Sequence, residues 1–210
     1  MNPPQLSIMF FLIHALVRSK CRDVVFCSQV VGAVHLAVQI PSIMYALYYG
    51  TTLAHMCPFS TAYFIYDIVV CIVYFRKMGA AYLGHALAAG SVFNYMSIYG
   101  HVQWAPKLLV WELSTPCVYI RAAMQKLSYR REPWYTANNL ALMVTFFFSR
   151  IVWSVFIFRD AWLQYSDVDT YGYIPMAIII GPGAILNSLN LYWFWKMIKM
   201  AYRTIKKRTN

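Results

Sequence analysis

Residues 111–121 read WELSTPCVYIR. A carboxylate at Glu112, a proline at Pro116 and a guanidinium at Arg121 interrupt long runs of Leu, Val, Ile, Phe and Tyr on both sides. Pro116 has no N–H, so in a helix the Glu112 carbonyl loses its partner four residues on. A helix through this stretch is expected to bend or break there, with Ser114 and Thr115 re-satisfying freed backbone groups. In a membrane, broken backbone carrying a carboxylate is tolerated only against protein or a wet cavity. The stretch therefore marks the polar interior of a bundle, provided its surroundings are membrane.

The composition supplies that condition. Of the 210 residues, 60% are hydrophobic and 12% charged, against roughly 45–50% and about 25% in ordinary soluble domains. The five cysteines form no CxxC, and no Cys/His cluster has zinc spacing. They read as small buried hydrophobes, and no metal is expected. The N-terminal apolar run lacks a basic region before it and an A-x-A site after it, so a cleaved signal peptide is not expected.

The net charge of +11 suggests nucleic acid until it is placed along the chain. Arg18, Lys20 and Arg22 follow the first apolar run, and Arg76 and Lys77 the third. Lys126, Arg130 and Arg131 follow the fifth, and Lys196 to Arg208 close the chain. The loops around 50–58, 100–107 and 159–172 hold only Lys107 and Arg159 as bases, and three Asp. Basic and non-basic loops alternate, as the positive-inside rule describes. Topology accounts for the charge without a nucleic-acid partner, and the basic face suits anionic headgroups.

The alternation predicts helices at about 5–17, 23–49, 59–75, 78–99, 104–125, 135–158 and 173–203, with the basic loops and the C-terminus inside. The first is short against the ~17 residues a span needs. Gly181-Pro182-Gly183 is expected to kink the last, whose final turns read as an amphipathic extension along the inner surface. Trp104, Trp134, Trp162 and Tyr45, Tyr48 and Tyr49 fall where an aromatic belt is expected. No linker or repeat divides the chain. Residues 1–19 read as an N-terminal helix, 20–203 as the membrane domain and 204–210 as a basic tail.

Charges at bilayer depth are costly and face protein or a cavity. Asp67, Glu112, Arg121 and Arg150 lie at depth, and two acids with two bases predict an internal ion-pair network. Asn94, Asn138, Asn139, Asn187 and Asn190 can bridge helices. Asn187 and Asn190 share a face, and Asn139, Met143, Phe146 and Arg150 form a stripe. His35 and His85 lie within helices and read as hydrogen-bonded core residues, while His14, His55 and His101 carry no signal. His85 and Asn94, nine residues apart, fall on opposite faces at about 100° per residue.

Asp67 in its aromatic helix, YLGHALAAGSVFNYMSIYG, WELSTPCVYIR, NNLALMVTFFFSRI and GPGAILNSLNLYWFWKMI together resemble the TLC domain. Ceramide synthases and the translocating-chain-associated membrane protein share this domain. The likeness covers roughly residues 20–203 and is strongest to the small TLC-domain-containing proteins. It implies an all-α polytopic membrane helix bundle, with a six-helix core around a lipid-accessible cavity and one short N-terminal helix. In the synthase branch, paired histidines and acidic residues carry N-acyl transfer from acyl-CoA to a sphingoid base. Here that pair is reduced to Gly84-His85, and the acid-rich segment of the synthases is absent.

The expected function is therefore non-catalytic. The bundle binds a lipid, a phospholipid or sphingolipid, or serves as an accessory subunit with protein partners in a larger membrane assembly. His85, Glu112, Arg121, Asn139, Arg150 and Asn187 are expected to line its cavity. The alternatives are an acyltransferase using His85 and Asp67, and a lipid mover or cargo receptor. For the last, the tail KKRTN resembles a dilysine retrieval signal with Arg208 where lysine is wanted. No cofactor is expected. The resemblance favours the endoplasmic reticulum, and an accessory role also suits the mitochondrial inner membrane.

Overall fold

A computed structural model describes residues 2–165 and 173–209. Among these residues the chain is helical with no strand. The main helices are α1 (Pro3–Lys20), α2 (Val24–Tyr49), α3 (Met56–Val73), α4 (Ala80–Tyr99), α5 (Thr115–Lys126), α6 (Pro133–Phe146), α7 (Trp153–Tyr165) and α8 (Tyr173–Thr209). A single turn, Phe75–Met78, precedes α4, and another, Ala105–Leu109, precedes α5. Sequence features set several ends. The Asp23 side chain accepts from the Phe26 N–H and caps α2. Gly50 and Gly100 adopt left-handed backbone (φ 65° and 82°) and stop α2 and α4.

Short connections join successive helices from α1 to α6, and α6 runs on into α7 without a reversal. At one end, the Lys126 ammonium closing α5 lies 3.6 Å from the Asp23 carboxylate that caps α2. At the other, Lys107 pairs with Asp160 of α7 at 2.7 Å, and the Trp153 indole donates to the Lys107 carbonyl. The turns rich in Lys and Arg thus share the first end. Helix α3 packs along α4, α1 lies against α3 and α2, and α8 against α4 and α7. The main core joins Phe64, Phe93, Met96, Trp104, Leu109, Trp111, Ile157 and Leu186. A second core gathers Phe10, Val31, Tyr66 and Val70 where α1 meets α2 and α3.

Outward faces are apolar. Ile8, Leu12 and Leu16 line the outer stripe of α1, and Leu140, Val144 and Phe148 that of the α6 region, all more than half exposed. So much apolar surface suits lipid rather than water. Among the described residues, Val24–Tyr49, Met56–Val73 and the run Pro133–Gln164 are long and apolar enough to cross a bilayer. Helix α5, at 12 residues, is too short to span, and α4 is less apolar, with His85, Ser91, Asn94 and Ser97 along it.

Three local expectations are corrected. The helix expected over 104–125 is instead a short α-turn, a 3₁₀ stretch over Val110–Ser114 and then α5, with Pro116 in the first turn of α5. The break therefore precedes Pro116, where a missing N–H is harmless. The helix expected over 135–158 runs to Tyr165 through a π-helical stretch at Phe147–Val152. Trp104 is not in an outer belt but 1% exposed in the core, with the Lys107 ammonium 4.9 Å from its ring centroid. Trp134, Trp162, Tyr45, Tyr48 and Tyr49 do face outward. Helix α8 continues through Gly181-Pro182-Gly183 without a break and on to Thr209. Part of the expected 159–172 loop, residues 166–172, lies outside the described residues.

Candidate functional site

The 3₁₀ stretch Val110–Ser114 and the π stretch Phe147–Val152 face each other, and each carries a charge. Arg150, on the π stretch, is 6% exposed. Its Nε donates to Ser114 Oγ at 3.0 Å, one Nη to Asn190 Oδ1 at 3.1 Å and the other to Thr115 Oγ1 at 2.7 Å. Thr115 Oγ1 in turn donates to Glu112 Oε2 at 2.7 Å. The Glu112 and Arg150 charges are 3.5 Å apart at their closest, and the Phe146 ring lies under the guanidinium at 5.1 Å. A buried arginine needs such saturation, because an unpaired charge in a low-dielectric interior is expensive. The extra residue of a π turn shifts the side-chain register, and such bulges recur at functional positions. Ser154 Oγ donates to the Arg150 carbonyl at 2.6 Å, occupying an acceptor on this irregular turn. Ser114 and Thr115 were expected to serve the backbone. Their hydroxyls bind Arg150 instead.

Beside this pair is a small cavity lined by His85 of α4, by Trp111 and Glu112 of the 3₁₀ stretch, and by Phe64, Phe93, Gly183 and Leu186. It offers about 20 Å³ to the centres of water-sized groups, room for about one water. Its lining residues are apolar apart from Glu112, His85 and Trp111, and the last two carry the ring nitrogens His85 Nδ1 and Trp111 Nε1. Both nitrogens are buried without a hydrogen-bond partner. The His85 ring rests against Trp193 and Phe64, at 5.8 and 6.2 Å between centroids.

The expected site residues divide. His85 and Glu112 line the cavity, and Arg150 and Asn190 form the support behind it. Asn187, one turn from Asn190, is half-buried and makes no hydrogen bond among the described residues. Asp67 is not on the cavity wall, and its hydrogen bond is from Cys71 Sγ at 3.9 Å. The expected network of four charges is thus a single pair, Glu112–Arg150. Arg121 and Asn139 do not line the cavity either. They lie near Tyr135 toward the basic end. Asn94 is exposed on the face of α4 away from His85, as the nine-residue spacing predicts. Asn138 bridges α6 to the Cys117 carbonyl of α5 at 2.9 Å. Trp111 was missed from sequence, since an indole in an apolar run looks like any core aromatic.

Histidines without a sequence signal prove to be structural ties. His14 Nδ1 meets the Tyr66 hydroxyl at 2.6 Å, and His55 Nε2 meets Ser42 Oγ at 2.8 Å. His35, a hydrogen-bonded core residue as expected, meets Ser60 Oγ at 3.1 Å and stacks on Tyr63 at 4.3 Å.

Residues 19–199 match the TLC-domain family model. The chain belongs to the TLC-domain family. It is 32% identical over 158 residues to topoisomerase I damage affected protein 4 of Saccharomyces cerevisiae, covering 70% of this chain and 55% of that protein. It is 26% identical over 157 residues to TLC domain-containing protein 4 of Xenopus tropicalis (70% of this chain, 58% of that one). With TLC domain-containing protein 4 C of Dictyostelium discoideum it shares 26% over 152 residues, at 69% and 55% coverage. The chain spans about half the length of these relatives. No solved structure matches it.

Proposed function

We propose that this TLC-domain protein is a multi-pass membrane protein whose cavity at His85 holds the polar group of a lipid without transforming it. One observation carries this reading. His85 Nδ1 and Trp111 Nε1 are buried and unpartnered, on two residues that line the cavity together with Glu112. Buried polar atoms nearly always have a partner, and a hydroxyl or amide of a bound amphiphile supplies both a donor and an acceptor. In its present state the cavity admits only water-sized groups, so an acyl chain enters only as α4 and α8 part. Gly84 of α4 lies on that seam, where a Cβ would stand 4.0 Å from Leu189 of α8. The basic turns then face the cytoplasm and the membrane is that of the endoplasmic reticulum. Labelling of introduced cysteines checks the topology: residues 126–133 and 159–165 on one side would overturn it.

The test of the site is native purification of the full chain with mass spectrometry of what co-purifies. A bound lipid is expected in the wild type and lost in His85→Leu and in Trp111→Phe. Retention of the same lipid in both variants, or only water in the cavity, would overturn the reading. Co-purifying proteins without lipid would favour the accessory-subunit role. One observation favours acyl transfer as a second reading: Glu112 and His85 share the cavity, and a histidine beside a carboxylate is a recurrent acid–base arrangement. An assay with acyl-CoAs and sphingoid bases decides it. No turnover is expected, and turnover abolished by His85→Ala would establish the enzyme.

A further inference from the structure

We infer a second ligand site, separate from the cavity: an anionic phospholipid headgroup binds at Arg121, between α5, α6 and α8. Glu112 neutralises Arg150, the other arginine expected at bilayer depth. Arg121 has no carboxylate among the described residues, where the ion pairs are Lys107–Asp160, Lys126–Asp23 and Glu112–Arg150. Its Nε is buried without a hydrogen-bond partner. One terminal nitrogen donates at 3.1 Å to Met200 Sδ, a weak acceptor for a full charge. A guanidinium presents a planar fork of donors that suits two phosphate oxygens at once.

The surroundings supply the rest of a headgroup site. Arg121 and Asn139 lie within interaction range of the Tyr135 hydroxyl, which also accepts from Gln125 Nε2 at 2.7 Å. Asn139 Oδ1 is buried and unpartnered, so it can accept from a hydroxyl on the headgroup. Arg121 stands five residues before Lys126, the last residue of α5, or about 7.5 Å below that end at ~1.5 Å per residue. That end is the basic one, and basic pockets between helices on such a face suit phosphate headgroups. On the nearby part of α8, Lys196 and Lys199 fold their ammonium groups over Tyr192 and Trp195 at 4.9 and 4.8 Å. They add positive potential while leaving Arg121 as the close donor.

The experiment uses the full chain in nanodiscs of phosphatidylcholine, with and without a minority of phosphatidylglycerol. Thermal unfolding and native mass spectrometry of retained lipid are the readouts. We expect phosphatidylglycerol to raise the unfolding midpoint of the wild type and to remain bound. Arg121→Gln should weaken retention about tenfold, and Arg121→Lys several-fold, since a point charge loses the fork. Lys126→Gln, on the same basic end, should retain the lipid. Equal retention in the wild type, Arg121→Gln and Arg121→Lys would overturn the site, as would equal loss in Lys126→Gln, which would mark diffuse surface charge. If Arg121→Gln does not fold, the Arg121→Lys comparison decides alone. Free glycerol phosphate that stabilises the protein in neutral nanodiscs as well as the lipid does would overturn the membrane source.

Discussion

The half of the bundle made by α1, α2 and α3 and the half made by residues 105–165 solve the same problem differently. Both bury polar side chains in a molecule with little water to offer them. In the first half the helices stay regular and the buried pairs are neutral: His14 with Tyr66, His35 with Ser60, and Gln39 with Ser60 and the Met56 carbonyl. The half-buried carboxylate of that half, Asp67, meets the Cys71 thiol and has no ion pair among the described residues. In the second half the buried groups are charged, and both charge-bearing segments leave the α-helix, one to 3₁₀ and one to π. A neutral pair needs one good partner, which regular spacing can supply. A buried guanidinium has five N–H donors to satisfy. Arg150 meets that need with Ser114, Thr115, Asn190 and Glu112, from three chain segments. Irregular backbone is what lets those segments converge.

The difference is most strongly tested by cutting the ion pair. Arg150→Met is expected to cost about 3–5 kcal/mol, because it strands the buried Glu112 carboxylate. The double change Arg150→Met with Glu112→Leu should recover most of that loss, since an apolar pair of similar size removes both charges. Denaturant unfolding in detergent measures both. A single variant within ~1 kcal/mol of wild type would show that the charges hold nothing, and the contrast would fail.

The regular half offers a packing test instead. The hydroxyl of Tyr119 sits where a Cβ on Gly32 would go, with the Tyr63 hydroxyl 3.0 Å from the same point. Gly32→Val should therefore destabilise by roughly 1–3 kcal/mol through overpacking. Tyr119→Phe removes the clashing oxygen and should return part of the loss in the double variant. Strict additivity of the two changes would show that they do not meet. A smaller effect is expected from Tyr66→Phe, which leaves His14 Nδ1 without its partner, about 1 kcal/mol. A loss as large as that of Arg150→Met would erase the distinction between neutral and charged burial.

What was legible follows the same division. Helix positions came from long apolar runs and from loop charge, and α2 and α4 lie within two residues of expectation. Glu112 and Arg150 were legible as interior because a charge among apolar residues has few other places to go. Their pairing was not. Helical spacing assumes about 3.6 residues per turn, and both segments depart from it. Arg121 and Asp67 look the same as Arg150 and Glu112 in sequence. Only the packing shows which acid meets which base. Trp104 was misplaced because a tryptophan at a helix end fits a lipid interface and a core equally well by residue type.

The smallest expected effect lies at the seam between the two halves, outside the apolar helices. Cys21 sits between α1 and α2. The Asp23 backbone first, and then the Lys126 ammonium 3.2 Å from its sulfur, hold its thiol below the usual cysteine value. The thiolate is the reactive form, so a lowered pKa means a larger reactive fraction at neutral pH. Alkylation at Cys21, followed across pH by peptide mass spectrometry, should show a midpoint below the ~8.5 of an ordinary cysteine. Lys126→Gln should move that midpoint upward, because it removes the positive charge that favours the thiolate. Lys126 ends the helix that begins beside Glu112, whereas Asp23 caps the helix that holds His35. If the irregular half keeps its place only through the ion pair, Arg150→Met should raise the Cys21 midpoint as Lys126→Gln does. A midpoint unchanged in Arg150→Met, with Lys126→Gln shifted, would show that the seam stands without the ion pair. The two halves would then be coupled less tightly than their shared core suggests.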